Sequence, residues 1–214
     1  MYHVFLLAIL ITCSYLVGST ISAIWITKLF SMQDPRQYGS KNPGTTNISR
    51  SKHPLALVAT ISTLLIDVIK GFLPVYISTK YGLPLSMSLL IGTFAVIGHI
   101  FPIFHQFRGG KGMATALGVL CGISSKLALA NAAVWMSSFW LVRIASVSSI
   151  LSVLTLPLLF LLTNNMYYLT PGVILICMFL LYKHLSNIYI LAKQAYIEYK
   201  ANFVRYVHQL FTFC

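Results

Sequence analysis

The stretch that decides both the fold and the site runs from Gly98 to Gly118, with the sequence GHIFPIFHQFRGGKGMATALG. An apolar segment ending near Phe107 leads into the basic, glycine-rich turn 108–112, and an apolar, helix-compatible segment resumes at Met113. Glycines let a backbone approach a ligand closely, and consecutive N–H groups beside a helix N-terminus bind anions. The turn therefore predicts a phosphate site, although a basic loop between two membrane helices has the same composition.

The composition indicates a membrane protein. Of 214 residues, 57% are hydrophobic and 8% are charged, whereas soluble domains carry about 25% charged residues. The formal net charge of +12 does not indicate nucleic acid, because the basic residues lie in short links between apolar segments. Anionic lipid head groups and phosphorylated substrates are better partners for such links. The scattered cysteines have no metal-type spacing, so we expect free thiols and no metal.

Apolar segments of about 20 residues can cross a bilayer as helices. They predict an all-α, polytopic membrane protein with about seven transmembrane helices, over 3–30, 54–79, 85–107, 112–125, 127–142, 147–163 and 170–190. Glycines and serines interrupt 112–142, which fits either two short spans or one span and a buried helix. The first segment lacks a basic n-region, so we expect it to be retained as a span.

The distribution of Lys and Arg predicts the orientation. If the N-terminus is outside, the outer links hold only Lys80 and Lys126, and the basic loops face the cytoplasm. We expect a single transmembrane domain over 1–190 and an amphipathic helix on the cytoplasmic side over 191–214. That tail mixes aromatic and apolar side chains with basic ones: Tyr196, Tyr199, Phe203, Val204, Tyr206, Lys193, Lys200 and Arg205.

The link 34–50 is rich in amide and hydroxyl side chains, and Arg50 adds a planar fork suited to phosphate. A flexible connection would also explain its glycines and serines.

Asp67 and Lys70 are three residues apart in an apolar segment, so they share a helical face. Buried charges in a membrane are usually paired. We therefore expect a structural ion pair rather than direct catalysis.

Two smaller polar groups lie at the inner ends of later segments. Ser146 and Ser149 begin one segment, and His184 and Asn187 end another. Serines in membrane helices commonly bond back to their own helix, so each group alone is also compatible with a purely structural role.

Taken in order, these motifs resemble the bacterial acyl-phosphate-dependent glycerol-3-phosphate acyltransferases. The matching pieces are GSxNPGxTNxxR from Gly39, DxxKGxxP from Asp67, and GHxFPxF from Gly98 continuing to GGKGxAT; the serine pair and HxxN fall at the third family motif. The resemblance covers about residues 18–195. Ile21 replaces a proline of the family's first span, Lys41 replaces a usual glycine, and the usual basic run after HxxN is absent.

The resemblance implies a seven-span enzyme of the bacterial inner (cytoplasmic) membrane, with its active site facing the cytoplasm. It implies transfer of an acyl group from acyl phosphate to the 1-hydroxyl of glycerol 3-phosphate, giving 1-acyl-glycerol 3-phosphate (lysophosphatidic acid) for phospholipid biosynthesis. No metal or cofactor is expected. The implied partners are glycerol 3-phosphate, acyl phosphate and membrane lipids, without nucleic acid, and we expect a monomer.

A mixed anhydride needs little activation, so the residues chiefly hold two phosphates and align the hydroxyl with the carbonyl. We assign Gly109 to Thr115 mainly to the phosphate of acyl phosphate. The groups assigned mainly to glycerol 3-phosphate are Ser40, Asn42, Asn47, Arg50, Lys111 and Asn187, and the division could be reversed. The catalytic candidates are His99, Lys111 and Ser149. The substrate-binding candidates are Ser40, Asn42, Asn47, Arg50, Gly109, Gly110, Gly112, Ala114, Thr115, Ser146, His184 and Asn187.

The candidate base is His99, although a satisfied buried histidine fits the same position and a substrate phosphate could accept the proton instead. A covalent acyl-serine at Ser40 or Ser149 is less favoured, since no base is paired with either. The alternative function is a membrane transporter of phosphate esters, which should show internal repeats and polar groups reaching both faces. A P-loop hydrolase is excluded because Gly112, not Ser or Thr, follows Lys111.

Overall fold

The computed structural model describes residues 2–163 and 166–212, with side chains for 4–163, 166 and 168–200. Every regular element in this part of the chain is helical. The helices are α1 (Tyr2–Gly18), α2 (Ser22–Leu29), α3 (Thr45–Ile48), α4 (Ala56–Lys80), α5 (Leu85–Ile100), α6 (Met113–Ile123), α7 (Ser125–Val142), α8 (Ala145–Leu161) and α9 (Thr170–Thr212), with 3₁₀ turns at Ile103–His105 and Tyr167–Leu169.

Judged by helix length and composition, fewer helices qualify as membrane spans than the seven predicted from the sequence. In the described residues, three helical stretches are long and apolar enough to cross a bilayer: α4, α5 with its following turn, and α9 as far as Lys200. A fourth is the pair α1 and α2, bent by 42° where the chain breaks between them. The shorter apolar helices α6 and α8 have 11 and 17 residues. The all-helical prediction is confirmed, and the structure gives three or four candidate spans.

The ambiguous segment 112–142 forms two helices. Ser124 takes an extended backbone conformation, with φ −160° and ψ 113°, which ends α6. Its side chain then caps α7 by accepting a hydrogen bond from the Leu127 N–H at 3.4 Å. A serine in this position satisfies one of the free N–H groups at a helix start.

Helices α4 and α6 approach each other closely in the centre of the bundle because two glycines remove side-chain bulk. A Cβ on Gly71 would lie 2.0 Å from the Thr115 carbonyl oxygen, and one on Gly118 would lie 1.9 Å from that of Val68. Small residues at such interfaces are the usual means of packing membrane helices. The close contact fixes α6, and with it the glycine-rich loop that precedes α6.

The last helix is longer than predicted. α9 continues without a break from Thr170 to Thr212, so the expected tail extends the last predicted span as one helix. Residues 192–200 are exposed along this extension. The side chains of Phe203, Val204, Arg205 and Tyr206 lie outside the described residues, and the amphipathic character of the tail stays a prediction.

Candidate functional site

A cavity of about 1080 Å³ collects most of the predicted site residues. The link before α4, the start of α6, the facing ends of α7 and α8, and the middle of α9 surround it. The predicted residues on its wall are Ser40, Asn42, Asn47, Arg50, Asp67, His99, Lys111, Gly112, Ala114, Ser146, Ser149, His184 and Asn187. Segments more than 100 positions apart in the chain therefore meet at one place.

The residues that line the cavity become less exposed from its entrance to its floor. Ser40 and Arg50 are exposed at the entrance, whereas His99 and His184 are only 3% and 1% exposed at the floor. Four predicted residues do not line the cavity: Gly109, Gly110, Thr115 and Lys70. The roles predicted for these four residues stay predictions.

Gly109 and Gly110 pack the loop against His99. The Gly110 N–H donates to the His99 carbonyl oxygen at 3.1 Å, and a Cβ on Gly110 would lie 2.1 Å from His99 Nε2. The loop then turns at Gly112, whose φ of +82° is a left-handed conformation suited to glycine. This turn places Lys111 and the free N–H groups at the start of α6 on the cavity wall.

Asn47 organises the link that carries Ser40 and Arg50. Its side-chain oxygen accepts a hydrogen bond from the Ser40 N–H at 3.0 Å. Its Nδ2 donates to the carbonyl oxygens of Pro35 at 2.7 Å and Tyr38 at 3.1 Å. The amide is thus engaged within the link, and the predicted substrate contact of Asn47, which also lines the cavity, stays a prediction.

The turn beside Ser40 shows why glycine is the usual residue of the family where this chain has Lys41. Gly39 and Lys41 both have left-handed backbones, with φ of 55° and 56°. A non-glycine residue in this conformation is strained. Glycine is therefore the favourable residue at position 41, where this chain has lysine.

No described carboxylate pairs with the cations of the cavity. Asp34 pairs with Arg36 at 2.6 Å and Asp67 pairs with Lys70 at 2.8 Å, so Lys111 has no acidic partner among the described residues. Burial, together with the nearby charges of Arg50 and Lys183, lowers the pKa of Lys111 to about 8. An anion entering the cavity would relieve this unbalanced positive charge.

The pair of Asp67 and Lys70 joins the two halves of the broken first helix. Both side chains are 3% exposed. Lys70 Nζ donates to the Thr20 carbonyl oxygen at 2.7 Å, after the end of α1, and Ser22 Oγ, at the start of α2, donates to Asp67 Oδ1 at 2.6 Å. The cation thus meets a helix C-terminus and the anion a helix N-terminus, as helix dipoles favour. The break therefore forms without the proline that Ile21 replaces.

The two cavity histidines differ in their bonding. His99 Nδ1 has no hydrogen-bond partner among the described residues and lies 3.7 Å from Asp67 Oδ1. His184 Nδ1 lies 2.8 Å from the Leu180 carbonyl oxygen. A carbonyl only accepts, so Nδ1 of His184 carries the hydrogen and Nε2 keeps a free lone pair.

Sequence reasoning missed two residues on α7, Asn131 and Trp135. Asn131 Nδ2 donates to the Ser152 carbonyl oxygen at 2.8 Å, and Trp135 Nε1 donates to Ser149 Oγ at 3.1 Å. Both side chains line the cavity. Their spacing of four residues on an apolar helix was the available signal, but nothing in the sequence identified α8 as the partner.

Comparisons with known proteins find matches that cover most of the chain. The family model for glycerol-3-phosphate acyltransferase matches residues 8–194. The glycerol-3-phosphate acyltransferase of Albidiferax ferrireducens is 42% identical over 183 residues, covering 81% of this chain and 80% of the relative. That of Haemophilus ducreyi is 45% identical over 180 residues, covering 84% and 88%.

Solved structures give the same result. Two crystal structures of PlsY (YgiH), an integral membrane glycerol 3-phosphate acyltransferase, superpose with TM-scores of 0.81 and 0.80. One is the glycerol 3-phosphate form and the other the lysophosphatidic acid form. Each is 32% identical to this chain and covers 88% of it and 92% of its own length.

Proposed function

Since the chain belongs to the glycerol-3-phosphate acyltransferase family, we propose that its acyl donor is acyl phosphate. The glycerol 3-phosphate 1-hydroxyl oxygen attacks the acyl carbonyl carbon, the bond from that carbon to the phosphate oxygen breaks, and inorganic phosphate leaves. The products are lysophosphatidic acid and phosphate. The observation that supports the proposal is one cavity in which Arg50, Lys111 and a helix N-terminus face the same space without an acidic partner among the described residues.

Two phosphorylated substrates need two anion sites side by side. We assign the glycerol 3-phosphate phosphate to Arg50 and Lys111, with hydrogen bonds from Ser40, Asn42 and Asn187. The phosphate of the donor lies at the start of α6, where Gly112 and Ala114 line the cavity. Charge-assisted hydrogen bonds of this kind are strong and directional. Placement of the two substrates then supplies most of the rate, because phosphate is already a good leaving group.

The proton of the attacking hydroxyl goes to His184 Nε2. The Leu180 carbonyl holds the tautomer in which Nε2 is unprotonated, and the ring lines the cavity with Asn187. This proposal gives His99, the base predicted from sequence, the different role of supporting the loop at Gly110. We do not assign Ser149 as a nucleophile, because no base among the described residues accepts the hydrogen of its hydroxyl.

The membrane arrangement follows from the basic links. We propose a seven-span bundle of the bacterial inner membrane in which α1 with α2 forms one span, α6, α7 and α8 complete the set, and the cavity opens to the cytoplasm. We propose that the protein acts as a monomer. The extension of α9 beyond residue 190 lies on the cytoplasmic side.

A donor assay tests the function. Purified protein in lipid nanodiscs is given acyl phosphate with and without glycerol 3-phosphate, in the presence of EDTA, and phosphate release is measured. We expect release only when glycerol 3-phosphate is present, at a rate that EDTA does not reduce. Turnover with acyl-CoA alone as donor would contradict the donor assignment. Uptake of glycerol 3-phosphate into proteoliposomes without lysophosphatidic acid formation would favour a transporter.

A further inference from the structure

Two side-chain hydrogen bonds connect α7 to α8 along the cavity wall. Asn131 reaches a backbone carbonyl of α8, whereas Trp135 reaches the hydroxyl of Ser149. The first bond joins a side chain to the scaffold. The second bond engages the hydroxyl of a residue that lines the cavity, and this difference separates the two residues.

Ser149 behaves differently from its neighbours on α8. Ser148 and Ser152 donate their hydroxyl hydrogens to carbonyls of the preceding turn, at 3.2 and 3.0 Å, as serines in helices commonly do. Ser149 accepts from an indole N–H, which is only a donor. The structure records no acceptor for the Ser149 hydrogen among the described residues, so that hydrogen is available to a ligand.

The indole itself is held in place. Trp135 stacks on Phe139 with ring centroids 5.2 Å apart and an interplanar angle of 15°. The side chain of Ser149 is 7% exposed and lines the same cavity. A fixed donor at a buried hydroxyl selects one rotamer of that hydroxyl, because the alternatives lose a hydrogen bond in a low-dielectric site.

We propose that Trp135 is a positioning residue for acyl transfer, which turns the Ser149 hydroxyl away from its own helix so that it donates its hydrogen to a substrate phosphate oxygen. This inference rests on the proposed function, since it needs a phosphorylated substrate in the cavity. In this role Trp135 acts through its hydrogen bond to Ser149.

A double-mutant cycle between Trp135→Phe and Ser149→Ala tests the proposal, with kcat/KM for both substrates as the readout. Phe keeps an aromatic ring at this position and removes the indole N–H together with the pyrrole ring. Loss of one hydrogen bond predicts a decrease of about 5-fold for Trp135→Phe and a larger decrease for Ser149→Ala. If Trp135 acts through the hydroxyl, the double variant equals Ser149→Ala within about 2-fold.

The cycle includes controls for folding and for helix clamping. Trp140→Phe changes an exposed tryptophan outside the cavity, 68% exposed, and should leave kcat/KM unchanged. Asn131→Leu removes the other bond between the helices, and its effect should combine additively with Ser149→Ala. If Trp135→Phe lowers the unfolding midpoint, 3-benzothienylalanine at position 135 replaces it, because this analogue has the indole shape without the N–H.

The outcomes are distinct. Additive losses for Trp135 and Ser149, or a Trp135→Phe variant as active as the wild type, would overturn the positioning role. Wild-type protein without turnover dependent on glycerol 3-phosphate would overturn the proposed function instead.

Discussion

Lys70 and Lys111 show two uses of the same side chain in one bundle. Lys70 is 3% exposed and fully engaged, by Asp67 at 2.8 Å and by the Thr20 carbonyl at 2.7 Å. Lys111 is partly buried, has no acidic partner among the described residues, and faces a cavity of about 1080 Å³. The paired charge of Lys70 stabilises the fold, whereas the unpaired charge of Lys111 indicates the candidate site.

The comparison shows that burial alone does not identify a functional charge in a membrane protein. Both lysines lie among apolar helices and both follow the family's motifs. What separates them is whether the protein itself supplies the counter-charge. An unneutralised cation in a low-dielectric site favours an incoming anion.

The largest effect is expected for Lys111→Met. Lys111 is assigned to the phosphate of glycerol 3-phosphate, and misplacing a substrate by about 1 Å can cost about 100-fold in rate, so kcat/KM for glycerol 3-phosphate should fall by at least about 100-fold. Thermal unfolding in detergent should not show a loss of stability, because no internal partner is left unpaired. A Lys111→Met variant with a tenth or more of the wild-type activity would contradict the functional difference between Lys111 and Lys70.

Lys70→Met should have the opposite pattern, with stability as the main loss. Removing one partner of a buried ion pair costs about 3–5 kcal/mol, because the other charge is left uncompensated. Equilibrium unfolding should show this loss, and the double variant Asp67→Asn with Lys70→Met should recover most of it. Lys80→Met, at the exposed end of the same helix, is the matched control and should change stability by less than about 1 kcal/mol. Equal losses of stability in Lys70→Met and Lys80→Met would contradict the role of Lys70 in joining α1 to α2.

The pH dependence of kcat/KM tests whether Lys111 acts through its charge. The pKa of Lys111 is lowered to about 8, so its ammonium is charged below that pH and loses its charge as the pH rises through it. Because kcat/KM reports the free enzyme, the value for glycerol 3-phosphate should fall above about pH 8. Lys111→Arg keeps its charge throughout this range, and an unchanged alkaline decrease in that variant would assign the titration to another group.

The smallest effect is expected at Lys41, which has a left-handed backbone and is not among the described residues that line the cavity. Lys41→Gly should stabilise the protein by up to about 1 kcal/mol, because glycine adopts a φ of 56° without strain. Gly39→Ala is the opposite control and should destabilise, since a Cβ there would lie 2.3 Å from Asn47 Oδ1. The denaturation midpoints of the two variants measure both effects, and a loss of stability in Lys41→Gly would show that the lysine is favoured there.

Hydropathy predicted the helical class and the approximate limits of several helices. The segment 54–79 corresponds to α4 at Ala56–Lys80, and 147–163 corresponds to α8 at Ala145–Leu161. The bend between α1 and α2 and the unbroken length of α9 were not predicted. The bend depends on contacts from Lys70 and Asp67, which lie about 50 positions away along the chain.

The site was partly predictable for a similar reason. Polar residues in an apolar chain are few, so the motifs identified most of the cavity wall. What they could not give was the direction of each side chain. The amide of Asn47 turns into its own link, Gly110 supports His99, and Trp135 joins the site through a contact with another helix. These are tertiary contacts, and local sequence patterns do not determine them.

The most direct test is the affinity for glycerol 3-phosphate of the wild type, Lys111→Met and Lys80→Met, measured by titration calorimetry at pH 7 in the same detergent. Charge-assisted contacts to phosphate predict binding at least about 10-fold weaker in Lys111→Met and unchanged in Lys80→Met. Equal affinity in all three proteins would contradict the claim that the unbalanced charge of this cavity holds the substrate phosphate.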